Sequence, residues 1–331
     1  MNDLSTESAK RPLITLFMVT YNHEPFIRQA LEGAAAQTYS PLEIIVSDDA
    51  STDKTAALIR AFVAHYQGPH TWRVNVNERN LGVLSNCMRV AEMARGEWFV
   101  AADGDDVSLP ERVEACYRHQ LAHPGEDYFI CKAEWMDARG APIPADFGHP
   151  KVQRGVIWNI RHHVPGAWGT CSCHHRRLYD SFGVLCTPGL RMIDMALAFR
   201  AVLLGGRVNF MDESLVRYRQ HAGGVVSANS AASGISLCEK YQSSSDDLSR
   251  LFQQMALDVV IAHKKGFIDA GLCRDALRVI REETYSVQTV AEALAAPLPL
   301  RALKFVGFLA RGFGASLRNA CAIKSGFVYR R

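Results

Sequence analysis

The sequence predicts an α/β protein that is built on a mainly parallel β-sheet. Two observations point to this fold class. Short apolar runs rich in strand-forming residues alternate with segments of helical periodicity through the first third of the chain, which is typical of βαβ units. In addition, polar and acidic residues follow three of these runs, at the position where ligands bind beyond the carboxyl ends of parallel strands.

The elements of this first part follow one another at regular intervals. Four apolar runs are predicted strands: 13–19, 42–47, 72–76 and 97–102. Three segments between them are predicted helices, because their apolar residues recur at helical spacing: 25–37, a helix that follows Asp53, and 83–94. We expect the Asp53 carboxylate to cap the second of these helices.

The alternation becomes less regular after about residue 127. Two further segments, 127–137 and 152–158, are predicted strands. Residues 227–247 are rich in serine and poor in large apolar side chains, which predicts a linker. The expected organisation is therefore one α/β domain over residues 1–226, the linker, and a helical C-terminal region over residues 248–331.

The composition is that of an ordinary globular protein. The 331 residues are 48% hydrophobic with a net charge of +3, a basic excess too small to indicate a nucleic-acid-binding protein. The N-terminus lacks the apolar core of a secretory signal, and no apolar run reaches the ~18 residues of a membrane-spanning helix. The nine cysteines are scattered, so we expect free thiols and a cytoplasmic protein.

Polar side chains follow three of the predicted strands. They are Thr20, Tyr21 and Asn22 after the first strand, Asp48, Asp49, Ser51 and Asp53 after the second, and Asp103, Asp105 and Asp106 after the fourth. In a sheet of parallel strands, ligands bind in the crevice beyond the carboxyl ends. The sequence therefore predicts that these three groups converge on one site.

The acidic cluster at residues 103–106 needs a positive partner or free access to water, because neighbouring carboxylates raise the cost of ionising one another. A Mg²⁺ or Mn²⁺ ion that bridges the cluster to a diphosphate would remove this repulsion. A solvated acidic turn is the alternative. A calcium loop of the EF-hand type does not fit, because Ser108 stands where that loop needs glycine and a strand precedes the cluster.

Several stretches resemble the family 2 glycosyltransferases. They are ITLFMVTYNHEPFIRQALEGAAAQTYSPLEIIVSDDASTDKT, NERNLGVLSNCMRVAEMARGEWFVAADGDD and, more loosely, GLRMIDMALAFRAVLLGG and VRYRQHAGG. The resemblance covers residues 12–225 and implies a GT-A fold, a nucleotide-sugar donor such as a UDP-sugar, and Mn²⁺ or Mg²⁺ as cofactor. It also implies transfer with inversion to a hydroxyl of a saccharide or lipid-linked acceptor, in the synthesis of surface polysaccharide.

The resemblance further implies a role for individual side chains. The implied donor-binding residues are Thr20, Tyr21, Asp49 (on the uracil edge) and Asp103, the implied metal ligands are Asp105 and His221, and the implied catalytic base is Asp194. The family has Glu-Asp before its catalytic helix, whereas this chain has Ile193 and Asp194. The assignment of the base therefore depends on one carboxylate and on the apolar helix that follows it.

Some of these residues have structural alternatives. Asp194 could be an N-terminal helix cap. Arg217 and Arg219 could contact phosphate or be solvated. A run of possible metal ligands, Cys171, Cys173, His174 and His175, lacks the separated pairs of a zinc site, and alternate side chains of a strand face opposite sides. The sequence therefore does not favour zinc there.

Two other functions are compatible with parts of the pattern. A nucleotidyltransferase would also combine such a sheet with carboxylate-bound Mg²⁺, but it would carry a glycine-rich phosphate loop after the first strand. A catalytically silent nucleotide-sugar sensor would need no base. In the C-terminal region, residues 301–318 form a basic amphipathic pattern, which predicts a helix that binds an anionic membrane surface or packs on the catalytic domain.

Overall fold

The computed structural model describes residues 11–144, 155–162, 169–222 and 237–295, and a nine-stranded mixed sheet forms its centre. The strands are β1 (Ile14–Thr20), β2 (Leu42–Asp48), β3 (Thr71–Val76), β4 (Trp98–Asp103), β5 (Val107–Ser108), β6 (Tyr128–Met136), β7 (Pro142–Ile143), β8 (Ser172–His175) and β9 (Val208–Arg219). Their order in the sheet is β3-β2-β1-β4-β8-β6-β9-β5, and β7 pairs with β6.

Helices connect the strands and pack on the sheet. They are α1 (Ile27–Ala35), α2 (Thr55–Ala64), α3 (Val83–Met93), α4 (Arg112–Ala122), α5 (Val156–His162), α6 (Arg177–Phe182), α7 (Ile193–Leu203), α8 (Leu237–Lys264) and α9 (Ala270–Ala295). A 3₁₀ turn at Gly169–Cys171 comes directly before β8. The two long C-terminal helices pack against each other, α8 contacts α7, and α9 contacts α5.

The first four long strands form the parallel half of the sheet. Strand β1 lies between β2 and β4 and is parallel to both, and β3 extends the sheet beside β2. All residues of β1 and β2 are buried, as expected for parallel strands that are covered on both faces, and most of them are apolar. Thr20 lies beside Asp48, and Val19 beside Asp103. The three strands therefore end at the same level, as the predicted α/β fold requires.

Strand β9 returns the chain to the end of β4. The last residues of β9 pair antiparallel with the short strand β5, with Arg217 opposite Val107 and Val216 opposite Ser108. Strand β5 directly follows the acidic cluster at residues 103–106. The residues after β9 therefore lie beside that cluster, although more than a hundred positions separate them along the chain.

One predicted strand, at residues 152–158, is wrong. Residues 152–154 lie outside the described ranges, and helix α5 begins at Val156. The buried residues Val156, Asn159 and Ile160 have the i, i+3, i+4 spacing of a helix face. The apolar run is too short for its period alone to separate strand from helix, and packing against α9 decides in favour of the helix.

The predicted linker at residues 227–247 also differs from the structure. Residues 227–236 lie outside the described ranges, but α8 begins at Leu237 and so includes the second half of the serine-rich stretch. Asp247 is buried and accepts hydrogen bonds of 2.9 and 2.5 Å from Arg191. Serine costs a helix only about 0.5 kcal/mol relative to alanine, so such tertiary contacts outweigh its propensity.

Two expectations concern the C-terminal segment and the thiols. The basic pattern at residues 301–318 lies outside the described ranges, so membrane binding and packing on the domain both stay open as predictions. None of the helices that the structure describes is long and apolar enough to cross a bilayer. The seven cysteines whose side chains the structure describes are free thiols.

A fully buried ion pair joins α8 to α7. Asp258 accepts two hydrogen bonds of 3.0 Å from Arg200, and both side chains are fully buried. Arg200 also donates to the carbonyl oxygens of Leu178 and Gly183, and Gln254 donates to Asp258. Burial raises the pKa of Asp258, while the Arg200 charge opposes the rise. The pair therefore ties the C-terminal helices to the helix whose first turn carries the predicted base.

We expect the substitution Asp258→Ala to lower the free energy of unfolding by about 3–5 kcal/mol, because it leaves the Arg200 guanidinium buried without a counter-charge. The matched control is Asp275→Ala, which removes one partner of an exposed pair with Arg278 and should change the free energy by less than about 1 kcal/mol. Urea denaturation of both variants measures the difference, and equal losses would contradict the role of the buried pair.

Candidate active site

The loops after β1 and β2 are joined by side-chain hydrogen bonds. The backbone N–H of Asn22 donates to Ser51 Oγ at 2.8 Å, and its φ of 56° lies in the left-handed region that asparagine tolerates. Asp53 accepts the backbone N–H of Glu24 at 3.0 Å and that of Thr55, the first residue of α2, at 2.9 Å. The N-cap residue of α2 is Lys54, however, so the expectation that Asp53 caps this helix is wrong. These polar residues fix the two loops against each other.

Asp49 holds the segment that leads into α3. Its Oδ1 accepts hydrogen bonds of 2.8 Å from Asn77 Nδ2 and from the Leu81 N–H, and its Oδ2 accepts the Gly82 N–H at 2.9 Å. Gly82 has a φ of 83°, which favours glycine. A carboxylate has about four acceptor positions. These three bonds leave one acceptor position of the buried Asp49 unused.

Thr20 and Tyr21 differ in their surroundings. Thr20 is buried, and its Oγ1 has no hydrogen-bond partner among the described residues, whereas Tyr21 is 42% exposed. Gly104, in the middle of the acidic cluster, lies close to the loop after β1. A Cβ added at this position would be 2.6 Å from Thr20 Oγ1 and 2.7 Å from His23 Nδ1. A side chain at position 104 would therefore push the β1 loop away from the cluster.

The three carboxylates of the acidic cluster lie within 4.8 Å of one another but ionise unequally. Burial and the Asp105 charge raise the pKa of Asp103 to about 7. Burial and both neighbouring charges raise the pKa of Asp106 well above its usual range. Burial also opposes ionisation of Asp105, but the hydrogen bond from His221 and the His23 charge outweigh it and lower the pKa. The negative charge is thus concentrated on Asp105.

Basic side chains face the cluster from three elements. His221 Nε2 is 2.9 Å from Asp105 Oδ2, and His23 Nε2 is 3.8 Å from the same oxygen. The fully buried Arg112 guanidinium, in the first turn of α4, opposes the rise in the Asp103 pKa. Burial lowers the pKa of His23, while the nearby Asp105 charge opposes this fall.

Asp106 and Arg219 set the position of His221. Asp106 Oδ1 accepts the Arg219 backbone N–H at 2.8 Å, and Arg219 Nε donates to the Asp105 carbonyl oxygen at 2.8 Å. The two terminal nitrogens of Arg219 donate to Gln29 and to backbone carbonyl oxygens. Arg219 donates its hydrogen bonds to groups within the protein. Neither of the two predicted roles, a contact with phosphate or a solvated side chain, therefore fits this residue.

Asp194 lies in the first turn of α7. The N-cap residue of this helix is Met192, so the N-cap alternative does not describe Asp194. Burial raises the pKa of Asp194 to about 6, and nearby backbone N–H groups limit the rise. The Asp194 charge adds to the rise in the Asp103 pKa that burial and Asp105 cause. Asp194 therefore belongs to the same site as the acidic cluster.

A cleft of about 790 Å³ lies between the start of α3 and the loop before α7. One wall includes the segment that Asp49 holds, and the other is the 185–191 loop that leads to Asp194. The lining combines apolar side chains such as Leu81 with the charged Arg89 and Glu92. This volume is in the range of small-molecule sites, and the polar groups could orient a ligand.

The donor set at the end of β4 fits a divalent cation. Asp103 and Asp105 offer carboxylate oxygens, which Mg²⁺ and Mn²⁺ prefer, and His221 offers an imidazole nitrogen against Asp105 Oδ2. The unpartnered Oγ1 of Thr20 lies beside Gly104, which stands between Asp103 and Asp105 in the sequence. These residues could hold one ion together with the oxygens of a bound ligand.

Comparison with known proteins agrees with this chemistry. The model of the family described as glycosyl transferase family 2 matches residues 15–176. These residues belong to glycosyl transferase family 2. An uncharacterized protein of Mycobacterium tuberculosis is 38% identical over 219 residues, which are 64% of this chain and 60% of that protein. The match therefore spans less than two thirds of the relative's length.

Solved structures with a similar fold include two that hold nucleotide-sugars. S. aureus TarS (residues 1–349) in complex with UDP-GlcNAc has a TM-score of 0.55 at 15% identity, over 96% of this chain and 93% of that one. The mannosyltransferase PcManGT from Pyrobaculum calidifontis, in complex with GDP-Man and Mn²⁺, has a TM-score of 0.54 at 19% identity, over 97% and 86%. Identities this low show the fold alone, and that fold is GT-A, as the resemblance implied.

Sequence reasoning missed two basic residues of the site. His23 follows Thr20 and Tyr21 in the same loop, so its position after the first strand was an available signal. For Arg112 the sequence contains no such signal, because its complete burial depends on packing between α4 and the 3₁₀ turn. There it donates a hydrogen bond of 2.6 Å to the Thr170 carbonyl oxygen. The helical spacing of α4 alone does not indicate where a cation in its first turn points.

The positions of the side chains decide two questions that the sequence left open, the possible zinc ligands at residues 171–175 and the role of Arg217. Cys173 belongs to the main apolar core, whereas the ring of His174 stacks on Phe99 in a second apolar cluster. The strand therefore sends the possible zinc ligands to opposite faces, as its alternation predicts. Arg217 lies at the surface, 3.6 Å from Glu134.

We expect Asp106→Asn to change the free energy of unfolding by less than about 1 kcal/mol and Asp106→Ala to lower it by about 1–3 kcal/mol. The raised pKa of Asp106 favours its neutral form, and an amide of the same shape keeps the acceptor for the Arg219 N–H, whereas alanine removes it. Chemical denaturation at pH 7 measures both variants. A loss with asparagine as large as with alanine would mean that Asp106 is ionised.

Proposed function

We propose that the protein is an inverting glycosyltransferase that moves a sugar from a UDP-sugar to a hydroxyl of a saccharide or lipid-linked acceptor. The observation that carries this proposal is the contact of 2.9 Å between Asp105 Oδ2 and His221 Nε2, beside Asp103, whose pKa the charge of Asp194 helps to raise. The same edge of the sheet thus carries Asp105 and His221, which can bind a metal ion with a diphosphate, and a separate carboxylate, Asp194, which is free to act as a base.

The diphosphate of the donor binds at the acidic cluster. Asp105 and His221 would hold Mn²⁺ or Mg²⁺, and Asp103 lies beside them toward the donor. When bound, the ion neutralises the negative charge of the diphosphate that leaves in the reaction. The role of His23 is to keep Asp105 ionised, since its charge is among the causes that lower the Asp105 pKa.

The nucleoside binds over the ends of β1 and β2. Asp49 has one acceptor position left on Oδ2, which suits the N–H of a uracil ring, and its other hydrogen bonds hold the carboxylate rigidly. Thr20 and the half-exposed Tyr21 line the nucleoside from the β1 loop. Structures of similar fold hold UDP-GlcNAc in one case and GDP-Man in another, so the donor panel in the test below includes both nucleotides.

Asp194 acts as the general base. An acceptor hydroxyl is a poor nucleophile until its proton is removed, and a carboxylate with a pKa of about 6 is ionised at neutral pH yet basic enough to take that proton. The acidic cluster is committed to the leaving-group side, so it does not compete for this role. Inversion follows, because the hydroxyl attacks the anomeric carbon from the face opposite the diphosphate.

The acceptor binds in the cleft between α3 and the 185–191 loop. This cleft adjoins both the segment that Asp49 holds and the start of α7, so an acceptor there lies between the nucleoside side and the base. Its mixed lining of apolar and charged side chains suits a saccharide. If the acceptor is lipid-linked, the basic pattern at residues 301–318 would bring the protein to an anionic membrane surface, where surface polysaccharide is assembled.

The substitution Asp194→Asn tests the mechanism. We expect it to lower the transfer rate roughly 10²–10⁴-fold while donor binding survives, because asparagine keeps the shape but cannot accept the proton. In the unsubstituted protein, the rate should fall about tenfold per pH unit below pH 6, because the raised pKa leaves the base protonated there. A panel of UDP- and GDP-sugars with Mn²⁺, followed by NMR of the product, measures rate and anomeric configuration.

Two outcomes would contradict the proposal. Transfer by Asp194→Asn at a near-normal rate would remove this residue from the mechanism, and a product that retains the donor configuration would overturn inversion. Two other outcomes would favour the alternative functions: donor binding with neither transfer nor hydrolysis for a sensor, and release of pyrophosphate from a nucleoside triphosphate for a nucleotidyltransferase.

A further inference from the structure

A second group of possible metal ligands lies at the other end of α4. The sequence His-x₃-His-x₂-Glu places His119 in the last turn of the helix, His123 at its C-cap and Glu126 after a tight turn. Gly125 has a φ of 91°, and the Glu126 N–H donates to the His123 carbonyl oxygen at 3.3 Å. This turn folds Glu126 back toward His119, so that one short segment supplies all three side chains.

The three side chains offer ligand atoms that lie within 4.8 Å of one another. His119 Nε2 is 3.4 Å from Glu126 Oε2, although only 10% of the His119 side chain is exposed. This nitrogen is buried and has no hydrogen-bond partner in the part of the chain that the structure describes. A separation of 3.4 Å is long for a hydrogen bond, but it equals the spacing of about 3.4 Å between two ligands of one tetrahedral Zn²⁺ ion.

Neighbouring groups hold the three ligands in place. His123 Nδ1 is 3.0 Å from the His119 carbonyl oxygen, so Nδ1 carries the proton and Nε2 keeps its lone pair. Asn209 Nδ2 donates to both oxygens of Glu126, at 3.0 and 3.1 Å. The His119 ring packs on Phe129, with 4.6 Å between the ring centroids. Contacts of this kind orient ligands and raise metal affinity.

We propose that His119, His123 and Glu126 bind Zn²⁺ or a similar late first-row divalent cation. Two imidazoles and one carboxylate are zinc ligands, whereas Mg²⁺ prefers oxygen. The carbonyl end of a helix also attracts a cation. The acidic cluster lies before the opposite end of α4, a helix roughly 16 Å long, so this is a separate site. A cation bound at this second site would join the end of α4 to the turn before β6. The proposal of this site does not depend on the proposed function.

The chain contains a matched control for the local geometry. The ring of His123 stacks on that of His119, four residues earlier, with 4.2 Å between the ring centroids. His162, at the end of α5, stacks in the same way on the ring four residues earlier and has Nδ1 2.8 Å from the carbonyl oxygen of that residue. That earlier residue is Trp158, which has no ligand atom to offer. His162→Ala therefore removes the same type of helix-end histidine without removing a metal site.

The test is Zn²⁺ binding to the full chain, measured by equilibrium dialysis and calorimetry. We expect His123→Ala to lose one Zn²⁺ equivalent that the unsubstituted protein, His162→Ala and Asp105→Ala all keep. The Asp105 variant separates this site from the acidic cluster. Glu126→Gln should weaken the same equivalent at least about tenfold, and a 100-fold excess of Mg²⁺ should not displace it.

Two results would overturn the proposal. In the first, His123→Ala and Glu126→Gln both bind as many Zn²⁺ equivalents as the unsubstituted protein. In the second, His162→Ala weakens Zn²⁺ binding as much as His123→Ala does. His123 is exposed, so its alanine variant should unfold at the same temperature as the unsubstituted protein in metal-free buffer. If that variant does not fold, the calorimetry of Glu126→Gln decides the question.

Discussion

Three carboxylates crowded at the end of β4 are the constraint on which the arrangement of this site depends. Asp103, Asp105 and Asp106 cannot all be ionised and buried together without a large cost. The structure meets this constraint by making them unequal. The pKa of Asp106 is raised and its Oδ1 accepts a backbone N–H, while His221 and His23 lower the pKa of Asp105. The result is one localised negative charge at the edge of the sheet.

The connections of the sheet explain how distant parts of the chain reach this charge. Pairing of β9 with β5 brings the residues after Arg219 beside the cluster, because β5 is the direct continuation of the acidic turn. On the other side, Asp194 begins a helix that the buried Arg200–Asp258 pair ties to the C-terminal helices. The C-terminal region is therefore part of what holds the proposed base in position.

The sequence predicted the parallel half of the sheet well, because its strands are continuous apolar runs separated by helical periodicity. The residues at the strand ends could be found for the same reason, since the register places Thr20, Asp48 and Asp103 at one edge. The antiparallel part was not predictable in this way. Its pairings join β4 to β8 and β5 to β9 across long sequence separations, and no local pattern reports such pairings.

Other features depended on tertiary packing. Composition indicated a linker at residues 227–247, but its second half belongs to α8, where Asp247 makes a buried contact with Arg191. The burial of Arg112, and the burial that is the largest cause of the raised pKa of Asp106, also follow from tertiary packing rather than from local sequence. Family resemblance named Asp105 and His221, and the structure brings the two into contact; their metal-binding role stays a proposal.

Binding of Mn²⁺ with and without UDP, followed by electron paramagnetic resonance, tests that role most directly. The account predicts that the unsubstituted protein has one Mn²⁺ site whose affinity rises when UDP is present, because the diphosphate completes the ligand set. Asp105→Ala and His221→Ala should each weaken this UDP-dependent binding at least about tenfold, and Asp275→Ala, at an exposed site, should leave it unchanged. UDP-dependent Mn²⁺ binding of normal affinity in both the Asp105 and the His221 variants would contradict the account.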